Sequence, residues 1–311
     1  MKRHFSLLLG LVVAFSTLLV SCDENENEMD SPICEIVVEC DGNGKVAITN
    51  HTGSVVTILK GNTLEVVATP DEGYEFVGWF VGDDATPVST EAAYTFVVSR
   101  SVVLVAKFTY PFVASGSVGG HEYVDLGLPS GLKWAMCNVG ATEIYDKGVH
   151  YAWGETEEKT NFTRWENYRL CNGTDDYMTR YNGHDDKKTL DMADDVAHSK
   201  WGGDWRMPTK AEMQELCDNC TFESVKVNGM LGLKVKGPNG RCLFLPAASY
   251  KGSTGNVLLG WMCYWSSTVS PDDYAYACSL EMFIGSPGQS YAPNLKTAMR
   301  RLGFSIRPVA E

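Results

Sequence analysis

Cysteine residues are the first candidates for chemistry, because the chain holds ten of them. Cys217 and Cys220, in the segment CDNC, have the spacing of half a zinc site or of a redox pair. A structural zinc site needs four ligands, and neither a second such pair nor a histidine spacing in the sequence completes this one. A redox thiol is activated at a helix N-terminus, whereas this pair ends a predicted helix. We therefore predict that the two thiols pack and that they bind no metal.

The remaining cysteines do not form an obvious disulfide framework. Cys34 and Cys40 flank one alternating segment, CEIVVEC, and a strand would hold them about 20 Å apart. That separation excludes a bridge between them. With Cys22 set aside, nine cysteines remain, so at least one stays free or pairs between chains, and the sequence does not fix the pairing.

Common catalytic signatures are missing from the sequence. It contains no G-x-S-x-G elbow, no H-E-x-x-H and no phosphate-binding G-x-x-x-x-G-K. Histidines occur singly, at His51, His121, His150, His184 and His198. We predict no catalytic residues, and the sequence therefore favours binding over catalysis.

Aromatic and acidic residues in the late loops are the candidates for binding. Sugars are gripped by stacking their apolar faces on aromatic rings while carboxylates bond the hydroxyls. In the segments SYKGSTGNVLLGWMCYW, VSPDDY and GSPGQSYAPN, we predict this role for Tyr250, Trp261, Tyr291, Asp272 and Asp273. The alternative is that these side chains only stabilise the loops.

Calcium is the one metal that the acidic pairs bring into consideration. Asp175 with Asp176, and Asp185 with Asp186, offer the oxygen ligands that calcium prefers. No twelve-residue EF-hand pattern accompanies them. We expect solvated loop carboxylates and no cofactor.

Net charge limits the choice of partner. The formal charge is -13 at pH 7, so phosphate backbones would be repelled and nucleic acid is not an expected partner.

The N-terminus predicts export and a lipid anchor. Lys2 and Arg3 precede an apolar run too short for a comfortable membrane span, which is typical of a signal peptide over residues 1–21. Its end, LVSC, resembles the lipobox of bacterial lipoproteins, which implies that Cys22 is diacylated. Each methylene of an acyl chain buried in the bilayer contributes about 0.8 kcal/mol to membrane binding. The membrane would then be contacted only through the anchor.

An acidic tether follows the predicted lipid site. Residues 22–33 are too polar and too like-charged to collapse, so we predict an extended spacer. Acids after the lipidated cysteine also resemble the surface-export signal of lipoproteins in the Bacteroidetes. That resemblance implies an outer-membrane protein facing the exterior, and the alternative is a spacer facing the periplasm.

A small β-rich domain is predicted over residues 34–108. Its segments alternate with the strand period, and CEIVVEC and KVAIT around DGNG predict a hairpin. The phrase VVATPDEGYEFVGWF followed by VVLVAKF resembles the divergent internalin B-type repeat, which implies a β-grasp-like unit of the kind found as stalks in surface proteins. Tyr74 and Trp79 are expected to pack this single module.

The rest of the chain predicts a linker and a second domain. Small residues over 109–120 indicate flexibility. In the second domain, residues 121–311, Thr209 and Glu212 have capping-box spacing ahead of a periodic helix. A further helix is predicted over MADDVAHSKW, with Asp194 and Asp195 near its start.

Several spaced motifs of the second domain carry a family resemblance. YVDLGLPSGLKWAMCNVGA, YAWGE, WGGDWRMPTKAEMQEL, FLPAASY, YWSST and GFSIRPV together resemble the Fibrobacter succinogenes major paralogous domain, which is also widespread in Bacteroidetes surface proteins. The chain is also similar to the formylglycine-generating family, which implies an α+β, C-type-lectin-like fold. That family's redox and copper-binding cysteines come just before its last G-F-x-x-R strand, where this chain has none, so its activity is not carried over.

The sequence thus predicts a cell-surface lipoprotein with two domains, a small β-rich (β-grasp-like) module followed by an α+β C-type-lectin-like domain. Its expected ligand is an extracellular carbohydrate or a host or matrix glycan, bound for adhesion or nutrient capture. The first alternative is a structural or tip subunit of a surface assembly that binds protein partners. A less favoured alternative is an enzyme related to the formylglycine-generating family.

Overall fold

The computed structural model describes residues 32–252 and 260–311. This part of the chain is β-rich and forms several separate sheets, as expected of a multi-domain β-rich protein. The predicted signal peptide, Cys22 and most of the acidic tether lie outside the described residues. In the described ranges, no helix has the length and apolar character needed to cross a bilayer.

The first domain is built from strands in two sheets. Its strands are β1 (Ile33–Cys40), β2 (Gly44–Ile48), β3 (Val55–Leu59), β4 (Thr63–Pro70), β5 (Glu75–Val81), β6 (Ala93–Val97) and β7 (Val102–Thr109). One sheet has the order β3-β1-β7-β5 and the other has the order β2-β4-β6. Trp79 is fully buried between them, and Tyr74 packs against the same core, as predicted.

The prediction of a hairpin around DGNG is wrong. β1 pairs antiparallel with β3 and parallel with β7, whereas β2 pairs with β4 in the other sheet. Asp41 explains the difference, because its backbone N–H donates to the Ala106 carbonyl at 3.2 Å and its carboxylate accepts from the Phe108 N–H at 2.8 Å. These bonds hold the end of β1 along β7, and the glycines then carry the chain across to the second sheet.

The prediction that residues 109–120 form a flexible linker is also wrong. Phe112 is buried in the core of the second domain, with its ring centroid 5.5 Å from that of Phe244, and Tyr110 packs beside it. The strand β8 (Gly116–Val118) pairs with β9 (His121–Asp125). The two aromatic rings have more apolar surface to bury than the small residues around them, so they fix the segment onto the domain.

The second domain adds three sheets and two short helices. Its further strands are β10 (Lys133–Ala135), β11 (Thr221–Val227), β12 (Met230–Lys236), β13 (Cys242–Pro246), β14 (Trp261–Val269), β15 (Tyr276–Phe283), β16 (Ser290–Tyr291), β17 (Asn294–Met299) and β18 (Val309–Ala310). The sheets have the orders β18-β10-β9-β8, β13-β12-β11-β16 and β14-β15-β17. A 3-10 helix spans Trp165–Asn167.

Both helices have side-chain caps at their N-termini, and the capping box of the longer helix was predicted. In α2 (Lys210–Asn219), the Thr209 hydroxyl accepts from the Glu212 N–H at 3.3 Å, and the Glu212 carboxylate accepts from the Thr209 N–H at 2.7 Å. The helix α1 (Val196–Trp201) is shorter than predicted, because the Asp195 carboxylate caps it by accepting from the Ala197 and His198 N–H groups. Cys220 ends α2, as expected.

The sheet β14-β15-β17 separates two cores of the second domain. Met262, Tyr264 and Leu280 face the first core. Cys263, Trp265, Ala277 and Ala298 face the second. Alternation along each strand puts neighbouring residues on opposite faces, and the site described below lies where the second core reaches the surface.

The two domains contact each other directly. The turn between β11 and β12 presents the Gly229 N–H to the Glu72 carboxylate of the first domain. Lys234 Nζ lies 2.5 Å from Glu75 Oε1 and 2.6 Å from Glu223 Oε2. A cavity of about 300 Å³ lies beside these contacts, between the β4–β5 turn and β11. Charged groups from both domains therefore meet at the interface, beside an aromatic contact between Tyr74 and Tyr110 with ring centroids 5.5 Å apart.

Candidate ligand-binding pocket

The predicted ligand residues lie at three separate places. Tyr250 and Trp261 line one pocket. Asp272 and Asp273 line a different groove, and Tyr291 lies in β16. The structure therefore brings together only the first two.

The pocket that holds Tyr250 and Trp261 is called here the aromatic pocket. It has a volume of about 300 Å³. Its walls come from the ends of β14, β15 and β17 and from the segments on either side. It is lined by Tyr250, Trp261, Tyr276, Glu281, Thr297, Ala298, Met299, Leu302 and Phe304.

Stacked rings make the base of the aromatic pocket. Phe304 is buried and lies parallel to Trp265, with ring centroids 4.2 Å apart. Tyr250 packs against Phe304 at 5.9 Å, and Trp261 packs against Phe283 at 6.0 Å. Tyr250 and Trp261 are half-buried, so each ring is held from behind and keeps part of its surface accessible.

Arg300 fixes the segment that forms one wall. Its side chain is fully buried, with its guanidinium carbon 4.5 Å from the centroid of the Trp153 ring. Nε donates to the Tyr168 hydroxyl at 2.9 Å, and Nη1 donates to the Tyr274 carbonyl at 2.9 Å. Such a buried cation is costly to move, so it holds the neighbouring Met299 in place.

Glu281 is the acidic residue of the aromatic pocket, and the sequence analysis missed it. Ser279 Oγ donates to Glu281 Oε1 at 2.7 Å. Burial raises the pKa of Glu281, although the Ser279 hydrogen bond and Lys296 act in the opposite direction. The sequence YAYACSLEMF could have indicated this residue. A carboxylate in an otherwise apolar alternating strand is unusual, because burying a charge is unfavourable.

Lys296 lies near the rim of the aromatic pocket. Its Nζ is 5.8 Å from the centroid of the Trp261 ring, within the range of a weak cation–π contact. The Lys296 side chain is itself exposed.

A second cavity, called here the acidic groove, contains Asp272 and Asp273. It has a volume of about 620 Å³ and also includes Asp175, Asp176 and the exposed Tyr177. Asp273 Oδ1 accepts from the Ala275 N–H at 2.8 Å, which gives that carboxylate a role in the local turn.

Calcium ligation finds no geometric support in the described ranges, where no group of three or more histidine, cysteine or acidic side chains could hold a metal ion. Asp185 instead uses its carboxylate to accept backbone N–H groups of Tyr181, Asn182 and Lys187. Asp186 pairs with Lys188 at 2.9 Å.

Tyr291 has a structural role in the first core. Its hydroxyl accepts from the Gly285 N–H at 2.8 Å and donates to Gln289 Oε1 at 2.9 Å. Its ring packs against the first core, and β16 pairs with β11. The sequence analysis did not anticipate this packing, because a loop composition does not reveal that a two-residue strand will pair there.

Cysteine thiols of the described part of the chain are all free. Burial raises the pKa of Cys217 to about 11 and that of Cys220 to about 12. Both groups are therefore protonated near neutral pH, which favours the predicted packing role over a redox role.

Comparison with known families identifies the first domain. Residues 35–111 match the family model of the divergent InlB B-repeat domain, which confirms the resemblance found in that segment. No curated protein and no solved structure matches the chain.

Proposed function

We propose that the protein is a lipid-anchored protein of the outer membrane, facing the exterior, whose second domain recognises extracellular carbohydrate through the aromatic pocket. The InlB B-repeat-like domain would act as a short stalk. Diacylation of Cys22 would supply the anchor, and the acidic tether would hold the domains away from the bilayer.

The aromatic pocket is the observation that carries this proposal. Half-buried Tyr250 and Trp261 offer ring surfaces fixed by Phe304 and Phe283, and Glu281 offers a carboxylate for a hydroxyl. A volume of about 300 Å³ is at the lower end of small-ligand pockets. The pocket therefore fits one or two sugar units better than a long chain.

The resemblance of the second domain adds support. Its motifs are similar to those of the Fibrobacter succinogenes major paralogous domain, for which a C-type-lectin-like fold is implied. Tyr250 follows FLPAAS and Trp261 precedes the YWSST motif, so the pocket is built next to the segments that carry the resemblance. We assign this domain a binding role and no catalytic role.

Glycan binding by residues 22–311, with Cys22→Ser to keep the chain free of lipid, tests the proposal. We expect selective binding that falls at least about tenfold in Tyr250→Ala and in Trp261→Ala, because each ring contributes about 1–3 kcal/mol of stacking and burial. Tyr177→Ala is the matched control, since this exposed aromatic lies in the acidic groove. Equal loss in all variants, or no binding by folded protein, would contradict the proposal.

A protein-binding role in a surface assembly is the second candidate. β3 is an edge strand of its sheet and exposes Val55 and Leu59, and Val103 is exposed on β7 two strands away. An exposed apolar edge can pair with a strand of another chain. Concentration-dependent association, lost in Val55→Lys and unaffected by sugar, would favour this role.

A further inference from the structure

The lining of the aromatic pocket contains one acidic residue and no basic residue among the described residues. Of the described residues that line it, Glu281 alone has a carboxylic or basic side chain. Tyrosine, tryptophan, threonine and apolar side chains make up the remainder. A ligand inside the pocket therefore meets a single acidic group against a mostly apolar wall, with Lys296 at the rim.

Glu281 is only partly compensated, by the hydrogen bond from Ser279 and by the charge of Lys296. In the described part of the chain, Ser279 Oγ is its only hydrogen-bond partner, and it forms no ion pair. Lys296 is the nearest basic residue on β17, but its Nζ lies against the Trp261 ring. A half-buried carboxylate with one neutral donor retains unused acceptor capacity and gains from a cationic partner.

A second anion in the same pocket would be strongly disfavoured. A carboxylated sugar would place two negative groups within a cavity of about 300 Å³, where solvent screening is reduced. A protonated amine would instead form a charge-assisted hydrogen bond, about twice as strong as a neutral one.

We propose, building on the carbohydrate-binding function above, that the aromatic pocket prefers sugars with a free amine, takes neutral sugars more weakly and excludes uronic and sialic acids. Glu281 is the specificity-determining residue. The aromatic rings hold the sugar face, and the carboxylate selects the substituent.

Three tetrasaccharides test this preference by calorimetry with the lipid-free chain in 0.15 M salt at pH 6.5. The probes are a glucosamine tetramer, its fully N-acetylated counterpart and a galacturonic acid tetramer. We expect the amine to bind roughly tenfold more tightly than the acetamide and the uronate not to bind. Glu281→Gln keeps the shape of the side chain and should bring the amine and the acetamide within about threefold of each other.

Asp273→Asn in the acidic groove is the matched control, because it removes the same charge from the molecule outside the pocket. Loss of the amine preference in that variant, or its persistence in Glu281→Gln, would overturn the assignment to Glu281. Equal binding of amine and acetamide, or binding of the uronate, would overturn the inference while leaving carbohydrate binding intact. No binding of any sugar in these assays or in the glycan screen would overturn both.

Discussion

His150 is buried beside the segment that leads to Tyr250, where its ring stays neutral. Its Nε2 lies 3.1 Å from the Ala248 carbonyl oxygen. Burial, together with the nearby Lys251, lowers the pKa of His150 to about 4. Since burial favours the uncharged ring, protonation of His150 is linked to the stability of the folded protein.

We expect the free energy of unfolding to decrease as pH is lowered, because of this residue. The unfolded chain takes up the proton near pH 6.5 and the folded chain near 4, so the contribution is complete above pH 6.5 and is lost as pH falls toward 4. The loss should approach about 3 kcal/mol. Urea unfolding of wild type and His150→Gln from pH 4 to 8 gives the difference, and parallel curves would contradict the assignment.

Residue types alone gave part of the candidate site. Tyr250 follows β13 and Trp261 begins β14, and both line the aromatic pocket. Asp272 and Tyr291 lie elsewhere, because the distances between loops depend on which strands pair, and single-residue chemistry does not contain that information. Glu281 could have been predicted only from its position as a charged residue in an otherwise apolar strand.

The helix caps are the elements that local sequence predicted best. A capping box depends on two residues three apart, so it is fixed before tertiary contacts form. In α2 the Glu212 carboxylate also accepts from Arg206 at 2.7 Å and 2.8 Å. The cap therefore ties the helix to the segment that precedes it.

Removing the Thr209 cap should destabilise the second domain. Thr209→Ala leaves the Glu212 N–H without its side-chain acceptor, at a cost of about 1 kcal/mol in free energy of unfolding. Lys210→Ala, at the exposed first position of the same helix, should change it by less than about 0.5 kcal/mol. Denaturant midpoints measure both, and an equal shift in the two variants would argue against the cap.

Strand pairing was the weak point of the sequence analysis. The alternation of β1 and β2 was correct, but a turn signal such as DGNG does not specify whether the chain returns to the same sheet. One of the two partners of β1 is β7, more than sixty residues away. The Asp41 bonds to Ala106 and Phe108 show how the end of β1 is held there.

At the scale of the whole molecule, the junction between domains combines aromatic packing with polar contacts. Tyr110 and Phe112 anchor the connecting segment, and Glu72 binds the turn at Gly229. The flexible linker was predicted from the many small residues in this segment. Its packing is instead determined by the two aromatic rings, whose effect is lost when the composition of the whole segment is considered.

Glu72 should protect the Gly229 amide from hydrogen exchange. In Glu72→Ala we expect that amide to exchange about tenfold faster, because its acceptor is lost. Glu72→Gln retains an acceptor oxygen and should keep most of the protection. Exchange followed by NMR measures this, and an unchanged Gly229 rate in Glu72→Ala would show that the contact is not maintained in solution.

The parallel pairing of β1 and β7 also has a mechanical meaning. Five register pairs, from Ile36 with Val102 to Cys40 with Ala106, join these strands, so Ile33 and Thr109 lie at opposite ends of the sheet, roughly 30 Å apart. A pull between an anchored Cys22 and a ligand-bound second domain would load the two strands in shear. The hydrogen bonds between them would then have to break together rather than one at a time, which suits a stalk that must bear tension.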